Sequence, residues 1–364
     1  MLRRYFNNYK GFTCIADACP TNCCGGWIID IDKDSLERYR TYRGHDYEIL
    51  QERVDFENSV TKRKPNGDCA FLREDGLCQM QRSLGEDFLC VTCDMFPRHI
   101  EEFRGVREYS LSAACPVIAM QFVTDINPLS YDEETDDVPE NDEEYLDFND
   151  VLYEKLLHCR KNMVKILQNR SVDFVTRCNI MLKMIAGVQE DIDMEMWDDC
   201  DAYIDEYLEE TGDGVDSEDI IFSWENPTEY FEFLHKLKPM NEDFKSWVKT
   251  AQGFLFNNGL DELEKKVAEF DAYEKNWQIW CEQIAVYFVY TYFCGSVYDN
   301  FILALAKEAV YNAFMIKLLW VAKWIECDKT ITKEQMAEIV YRYSREIENE
   351  DQNLFSLEEM LDEQ

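Results

Sequence analysis

The sequence predicts a mainly α protein, with a loop-rich N-terminal cysteine-cluster module followed by an all-helical body. Three observations predict it. Nine of the fifteen cysteines fall early, at 14, 19, 23, 24, 69, 78, 90, 93 and 115. Beyond residue 150, apolar residues recur at helical spacing and strand signals are scarce. Between these regions, 131–150 reads YDEETDDVPENDEEYLDFND, dense in acid and without Lys or Arg. The expected division is 1–125 for the module, 126–150 for an acidic linker or loop, and 151–364 for an acidic α-helical domain.

The elements follow in order. MLRRYFNNYKGF has a basic start without a following apolar run, so no secretory leader is expected. Residues 34–55 read as one or two helices between cysteine groups, with Asp34 as N-cap and Glu37 at the capping-box spacing. Further helices are expected at 151–169, 172–188, 197–210, 228–237, 242–257, 260–274, 276–294, 298–326 and 332–348. In the first, Leu152, Leu156, Leu157, Met163 and Ile166 share a face. The most apolar segments are 284–294 and 301–325. The first is too short to span a bilayer. The second carries Lys307, Glu308, Lys317 and Lys323 and reads as a buried helix, so no membrane partner is expected.

The formal charge is −37, and residues 1–120 hold 16 of the 37 Lys/Arg but only 19 of the 74 Asp/Glu. A body this acidic repels nucleic-acid phosphates and anionic lipid and attracts basic partners, although solubility alone also accounts for it. The expected location is the cytoplasm, where stable disulfides are rare.

In that compartment the cysteine cluster points to metal. Thiolates are soft ligands for zinc or iron–sulfur clusters. Cys14/Cys19, Cys19/Cys23 and Cys90/Cys93 have chelate spacing, the last as a C-x-x-C, which alone could also be a redox pair. Adjacent Cys23 and Cys24 are expected to point apart and serve two sites, or one site and one buried thiol. Nine cysteines allow one or two centres. Spacing does not separate zinc from iron–sulfur, and His45 and His99 are not placed like zinc-finger ligands. Gly25 and Gly26 would let backbone approach a metal. The cysteines at 159, 178, 200, 281, 294 and 327 are read as small buried hydrophobes.

Cys14, Cys19, Cys23 and Cys24, then Gly26, Trp27, Ile29 and Asp30-Ile31-Asp32, resemble the opening of the flagellin lysine-N-methylase family. Cys69-Ala70-Phe71-Leu72, Asp75-Gly76-Leu77-Cys78, Leu84-Gly85-Glu86, Leu89-Cys90, Thr92-Cys93, Phe96-Pro97-Arg98 and the segment EYSLSAACP at 108–116 extend the resemblance. Tyr287, Tyr290, Tyr292 and Phe293 are similar to an aromatic patch near that family's C-terminal end. One position departs: Val117 stands where the family pattern has an acid.

The resemblance implies methylation of flagellin lysines with S-adenosylmethionine as donor and an iron–sulfur centre, 4Fe-4S, with zinc as the alternative. It places Cys14, Cys19, Cys23, Cys24, Cys69, Cys78, Cys90, Cys93 and Cys115 on the family's cysteine landmarks, as metal-site candidates. The residues themselves support a methyltransferase only in part. The sole Gly-rich hint, Gly212-Asp213-Gly214, follows no strand. The reaction needs a lysine stripped of its proton and a pocket for cationic reactants, which aromatic faces can provide. Trp27, Tyr287, Tyr290 and Phe293 are the candidates for that pocket, against a plain core helix at 283–294. Arg98 is a candidate for a carboxylate or cluster contact. Two other readings stay open: a metal-binding protein without catalysis, and an acidic interaction protein for a basic partner.

Overall fold

The opening segment LRRYF forms a strand at the centre of a sheet rather than a loop. In this computed structural model, which describes residues 1–136, 145, 148–197, 199–211, 227–241, 243–257 and 259–362, β1 is Leu2–Phe6. The N-terminal part continues with α1 (Lys33–Thr41), α2 (Tyr47–Arg53), β2 (Val54–Asp55), β3 (Val60–Thr61), α3 (Gln79–Leu84), α4 (Val91–Met95), β4 (Arg98–Phe103), β5 (Val106–Leu111), α5 (Pro116–Phe122) and β6 (Tyr131–Thr135).

The large sheet has the order β4-β5-β1-β6. β1 runs parallel to β5, with Leu2 opposite Val106, and antiparallel to β6, with Phe6 opposite Tyr131. β4 and β5 form a hairpin turned at Arg104–Gly105, where Gly105 takes φ 76°. Two expectations are therefore corrected. The module is not only loops and short helices. Part of the acidic stretch, Tyr131–Thr135, is an edge strand, held by Arg4 and Lys10, which pair with Glu133 and Glu134. Residues 137–144, 146 and 147 of that stretch, and Gly212-Asp213-Gly214, lie outside the described residues.

The N-cap of α1 is Asp32 and not Asp34. Asp32 is extended, and its carboxylate accepts Ser35 N–H at 2.9 Å while its second oxygen accepts Val91 N–H at 2.9 Å. One acid thus caps α1 and ties down the start of α4, beside Cys90.

The body has helices and no strand among its described residues: α6 (Asp150–Leu167), α7 (Phe174–Asp193), α8 (Cys200–Thr211), α9 (Pro227–Lys236), α10 (Phe244–Phe256), α11 (Leu260–Tyr273), α12 (Trp277–Tyr292), α13 (Ile302–Glu326), α14 (Lys333–Glu348) and α15 (Asp351–Asp362). Asn149, Asp173 and a Thr332/Gln335 capping box start three of them. Both α12 and α13 are mostly apolar and are buried along most of their length. No helix among the described residues is long and apolar enough to cross a membrane.

There are two cores. The small one gathers residues between Cys24 and Cys93. The large one takes in β1, β5 and α5 together with the helices. The sheet is joined to the body by charge as well as packing. Glu108 of β5 lies between Arg160 of α6 and Arg4 of β1, and all three side chains are largely buried.

Inside α13, Glu308 is 2% exposed and accepts Asn312 Nδ2 at 3.2 Å. Burial, with the nearby Glu358 charge adding to it, pushes its carboxyl from 4.5 up to about 8. Below the ordinary value, folded and unfolded chains both hold this proton. Between that value and about 8 only the folded chain holds it, so stability falls as pH rises through the window. Glu308→Gln is expected to raise stability by roughly 2–4 kcal/mol at pH 8 and to leave it unchanged near pH 4. Thermal melts at the two pH values check this.

Candidate functional site

The small core explains why cysteines recur along residues 23–93. A stretch with short helices and two-residue strands has few apolar side chains to bury, and sulfur fills the gaps. Cys24, Cys69 and Cys90 are buried, whereas Cys78 and Cys93 are partly exposed. Backbone pairing holds them together: Cys69 N–H donates to Cys24 C=O at 2.8 Å, and Leu72 bridges Cys78. Around them Tyr39 donates its hydroxyl to Phe88 C=O at 2.7 Å, and Arg38 donates to Leu89 C=O at 2.9 Å.

The sulfurs form two pairs. Cys23 and Cys24 lie with Sγ atoms 3.9 Å apart, so these neighbouring side chains do not point apart as the sequence reading expected. Cys90 and Cys93 form the second pair. In each pair a hydrogen bond from one thiol lowers its partner's pKa: those of Cys23 and Cys90 fall, while those of Cys24 and Cys93 rise. Cys69 and Cys78 lie within electrostatic reach of both raised thiols. All fifteen cysteines are free thiols. The donor chemistry, sulfur only and reduced, fits a soft metal or an iron–sulfur cluster. As the side chains stand, no three His, Cys, Asp or Glu among the described residues are gathered around one point.

The remaining three early cysteines meet the helical body. Cys115 caps α5 and is raised to about 11 by burial. Cys14 and Cys19 are within electrostatic reach of it. Facing this group is Arg345 from α14, a residue that sequence reasoning missed. Its Nε donates to Ala114 C=O at 3.0 Å and its Nη1 to Thr21 Oγ1 at 3.3 Å. Cys23, Cys19 and Cys115 all lie within its electrostatic reach. One guanidinium thus joins the 14–24 stretch, the Cys115 turn and the last helices. Gly26 makes a second joint. It has φ 88°, and a Cβ there would meet Asn241 Oδ1 at 2.9 Å, so the glycine serves close approach to the body. Asn241 is held in turn by Glu346, through its backbone N–H at 3.1 Å and its Nδ2 at 3.0 Å.

One turn from Arg345, Glu348 collects a polar group inside the protein. Tyr287 Oη donates to Glu348 Oε2 at 2.5 Å, Tyr292 Oη at 3.0 Å and Ser112 Oγ at 3.2 Å. Ala113 N–H donates to Tyr287 Oη at 3.2 Å. The other carboxylate oxygen, Oε1, is buried without a partner. Burial raises the pKa of Glu348, against the pull of the two tyrosines. The group sits between the SLSAACP turn and α12, beside the cysteines. Nothing in the periodicity of α14 marks Glu348, because its meaning lies in what the turn at 112–115 brings to it.

The four aromatic candidates are divided. Tyr287 belongs to the Glu348 group. Tyr290, one turn on, packs against Phe6 at 4.2 Å and Tyr131 at 5.2 Å between ring centroids. Trp27 sits in the cysteine region, where it donates Nε1 to Cys23 C=O at 2.9 Å and packs on Phe96. Phe293 is buried in the large core. Arg98 lies 5.5 Å over the Phe12 ring, and His99 bonds Glu101 at 2.6 Å. Of the six later cysteines, five are buried and Cys327 is half-buried.

Residues 160–364 match the family model described as the FliB lysine N-methylase C-terminal domain. The chain belongs to the FliB lysine N-methylase family. Among relatives, it is 30% identical over 132 residues to a protein of Salmonella typhimurium named lysine-N-methylase, covering 34% of this chain and 33% of that protein. It is 30% identical over 130 residues to the flagellar biosynthetic protein FliU of Salmonella muenchen, covering 34% of this chain and 77% of that protein. The match therefore spans a third of the length of the lysine-N-methylase relative. No solved structure matches this chain. For a FliB family member, the matched region supplies Glu348, Tyr287, Tyr292 and Arg345, the side that faces the cysteines.

Proposed function

We propose that this protein transfers methyl groups from S-adenosylmethionine to lysine side chains of flagellin. The observation that carries the reading is the meeting of the FliB-type helices with the cysteine region at one place, the Glu348–Tyr287–Tyr292 group beside Cys115 and Arg345. The relatives' names supply the substrate class.

A lysine ammonium has an ordinary pKa of about 10.4 and cannot attack until it loses a proton. Glu348 is the group proposed to accept it: its free Oε1 has no partner inside the fold. Its raised pKa makes it a better base than a solvated carboxylate. Tyr287 and Tyr292 fix the carboxylate by donating to Oε2, which leaves Oε1 for the incoming group. The freed amine then attacks the donor's methyl carbon as the carbon–sulfur bond breaks and the sulfur keeps the electron pair. The acidic surface of the body, in a chain of net charge −37, favours a lysine-bearing protein partner.

Cys24, Cys69, Cys78, Cys90 and Cys93 are the residues proposed to hold an iron–sulfur cluster, or zinc, with Cys14, Cys19, Cys23 and Cys115 as a second group by Arg345. When bound, such a centre supplies cross-links to a segment whose own core is small.

The experiment is incubation of anaerobically purified protein with flagellin and S-adenosylmethionine, read by mass spectrometry for methyl-sized steps on lysine, alongside iron and zinc analysis. Methylated lysine with bound iron is the expected result. Folded, metal-replete protein that leaves flagellin unchanged would overturn the activity. Cys93→Ser is expected to lose most of the metal, and Cys178→Ser, deep in α7, to keep it.

A further inference from the structure

A cavity of about 690 Å³ opens between β1, the Leu129–Tyr131 segment, α6 and α12, away from the cysteines. Its size is ordinary for a small-molecule site. Its charge is not ordinary for this chain. Arg4, Arg160, Lys161 and Lys165 line it and no acid among the described residues does, in a protein of net charge −37.

The four cations are not equivalent. Arg4 and Arg160 are held by Glu108, and Arg4 also by Glu133. Lys161 and Lys165 are exposed, one turn apart on α6, and neither has a carboxylate partner among the described residues. The walls are flat and apolar: the Phe6, Tyr131 and Tyr290 rings, with Leu157, Val164 and Val286. Two polar atoms in this lining are buried without any partner, Tyr290 Oη and His158 Nε2. Tyr290 is 2% exposed, so its hydroxyl cannot be satisfied by bulk water. Buried polar groups left alone are costly, and two in one cavity mark a place where a ligand supplies the missing bonds.

We propose that this cavity binds a nucleoside monophosphate, with its ring against the exposed face of Tyr131 and its phosphate on Lys161 and Lys165. The base and sugar supply partners for the Tyr290 hydroxyl and His158. A phosphate suits two adjacent ammonium groups better than a single carboxylate would, since its oxygens serve both. The same charges disfavour the methyl donor, whose sulfonium and ammonium would sit among cations. The site is therefore separate from methyl transfer and stands whether or not that activity is found.

Titration calorimetry of the full chain with AMP, adenosine, inorganic phosphate and S-adenosylmethionine tests it. Saturable AMP binding is expected, with adenosine and phosphate each weaker. Lys161→Ala/Lys165→Ala, both on the surface, is expected to weaken AMP about tenfold or more, and Tyr290→Phe to weaken it with the fold intact. Failure of AMP to bind, binding indifferent to the two lysines, or equal binding of adenosine would overturn the proposal. So would S-adenosylmethionine displacing AMP with the same dependence on Lys161 and Lys165.

Discussion

Glu348→Gln is expected to lower lysine methylation by roughly 10²–10⁴-fold while leaving the protein folded. Glutamine keeps an oxygen for Tyr287 and Tyr292 to donate to, so the hydrogen bonds that shape the α12–α14 contact survive. What it removes is the capacity to take a proton at Oε1. The effect should fall on turnover more than on flagellin affinity, because the bulk of an acidic surface that attracts the substrate is untouched. A pH profile separates this role from a structural one. Burial raises the Glu348 carboxyl above the ordinary carboxylate range. The base must be ionised to work, so activity should fall as pH drops through that raised value, earlier than for an exposed glutamate. In Glu348→Gln this acid limb should vanish from whatever activity remains. A variant with wild-type turnover and the wild-type acid limb would remove Glu348 from the reaction.

Glu108→Ala is expected to cost roughly 3–5 kcal/mol of stability, as removing one member of a buried ion pair does. Glu108 is 3% exposed and Arg160 is 3% exposed. Arg160 donates both terminal nitrogens to Glu108 and a further hydrogen bond to Tyr290 C=O at 3.0 Å. Taking away the carboxylate leaves a buried guanidinium that cannot lose its charge. Burial alone would push the Glu108 carboxyl up, but Arg160 and Arg4 overcome it and hold it below 4.5. The unfolded chain therefore takes up a proton first as pH falls. The stability from this group is present above the ordinary carboxylate pKa and is lost as pH drops through the lowered folded value. Chemical denaturation at pH 7 should show the full loss in Glu108→Ala, with the gap from wild type closing in acid. The double variant Glu108→Leu/Arg160→Met should recover much of it, because two apolar side chains leave no charge behind.

Residues differ in how readily the sequence discloses them. The helical body was legible because its pattern is local: 276–294 and 332–348 were expected, and α12 and α14 lie within two residues of those bounds. The buried nature of α13 followed from an apolar run interrupted by four charges. The sheet was missed because β1 and β5 are paired across a hundred residues, and a five-residue strand carries little signal by itself. Asp32 displaced Asp34 as a cap because Val91, far along the chain, shares its carboxylate.

By itself, the sequence determined the mainly helical class, the family through its cysteine landmarks, and which thiols are grouped early. These are properties of residue type and short spacing, which survive without coordinates. Only the tertiary structure decided which groups meet: that Arg345 faces Cys19, Cys23 and Cys115, that Tyr287 joins Glu348 while Tyr290 walls a basic cavity, and that Cys23 lies against Cys24. Those meetings depend on how sheet, cysteine region and helices pack together. A side chain's protonation, charge and chemistry follow from neighbours that the linear order places hundreds of residues apart.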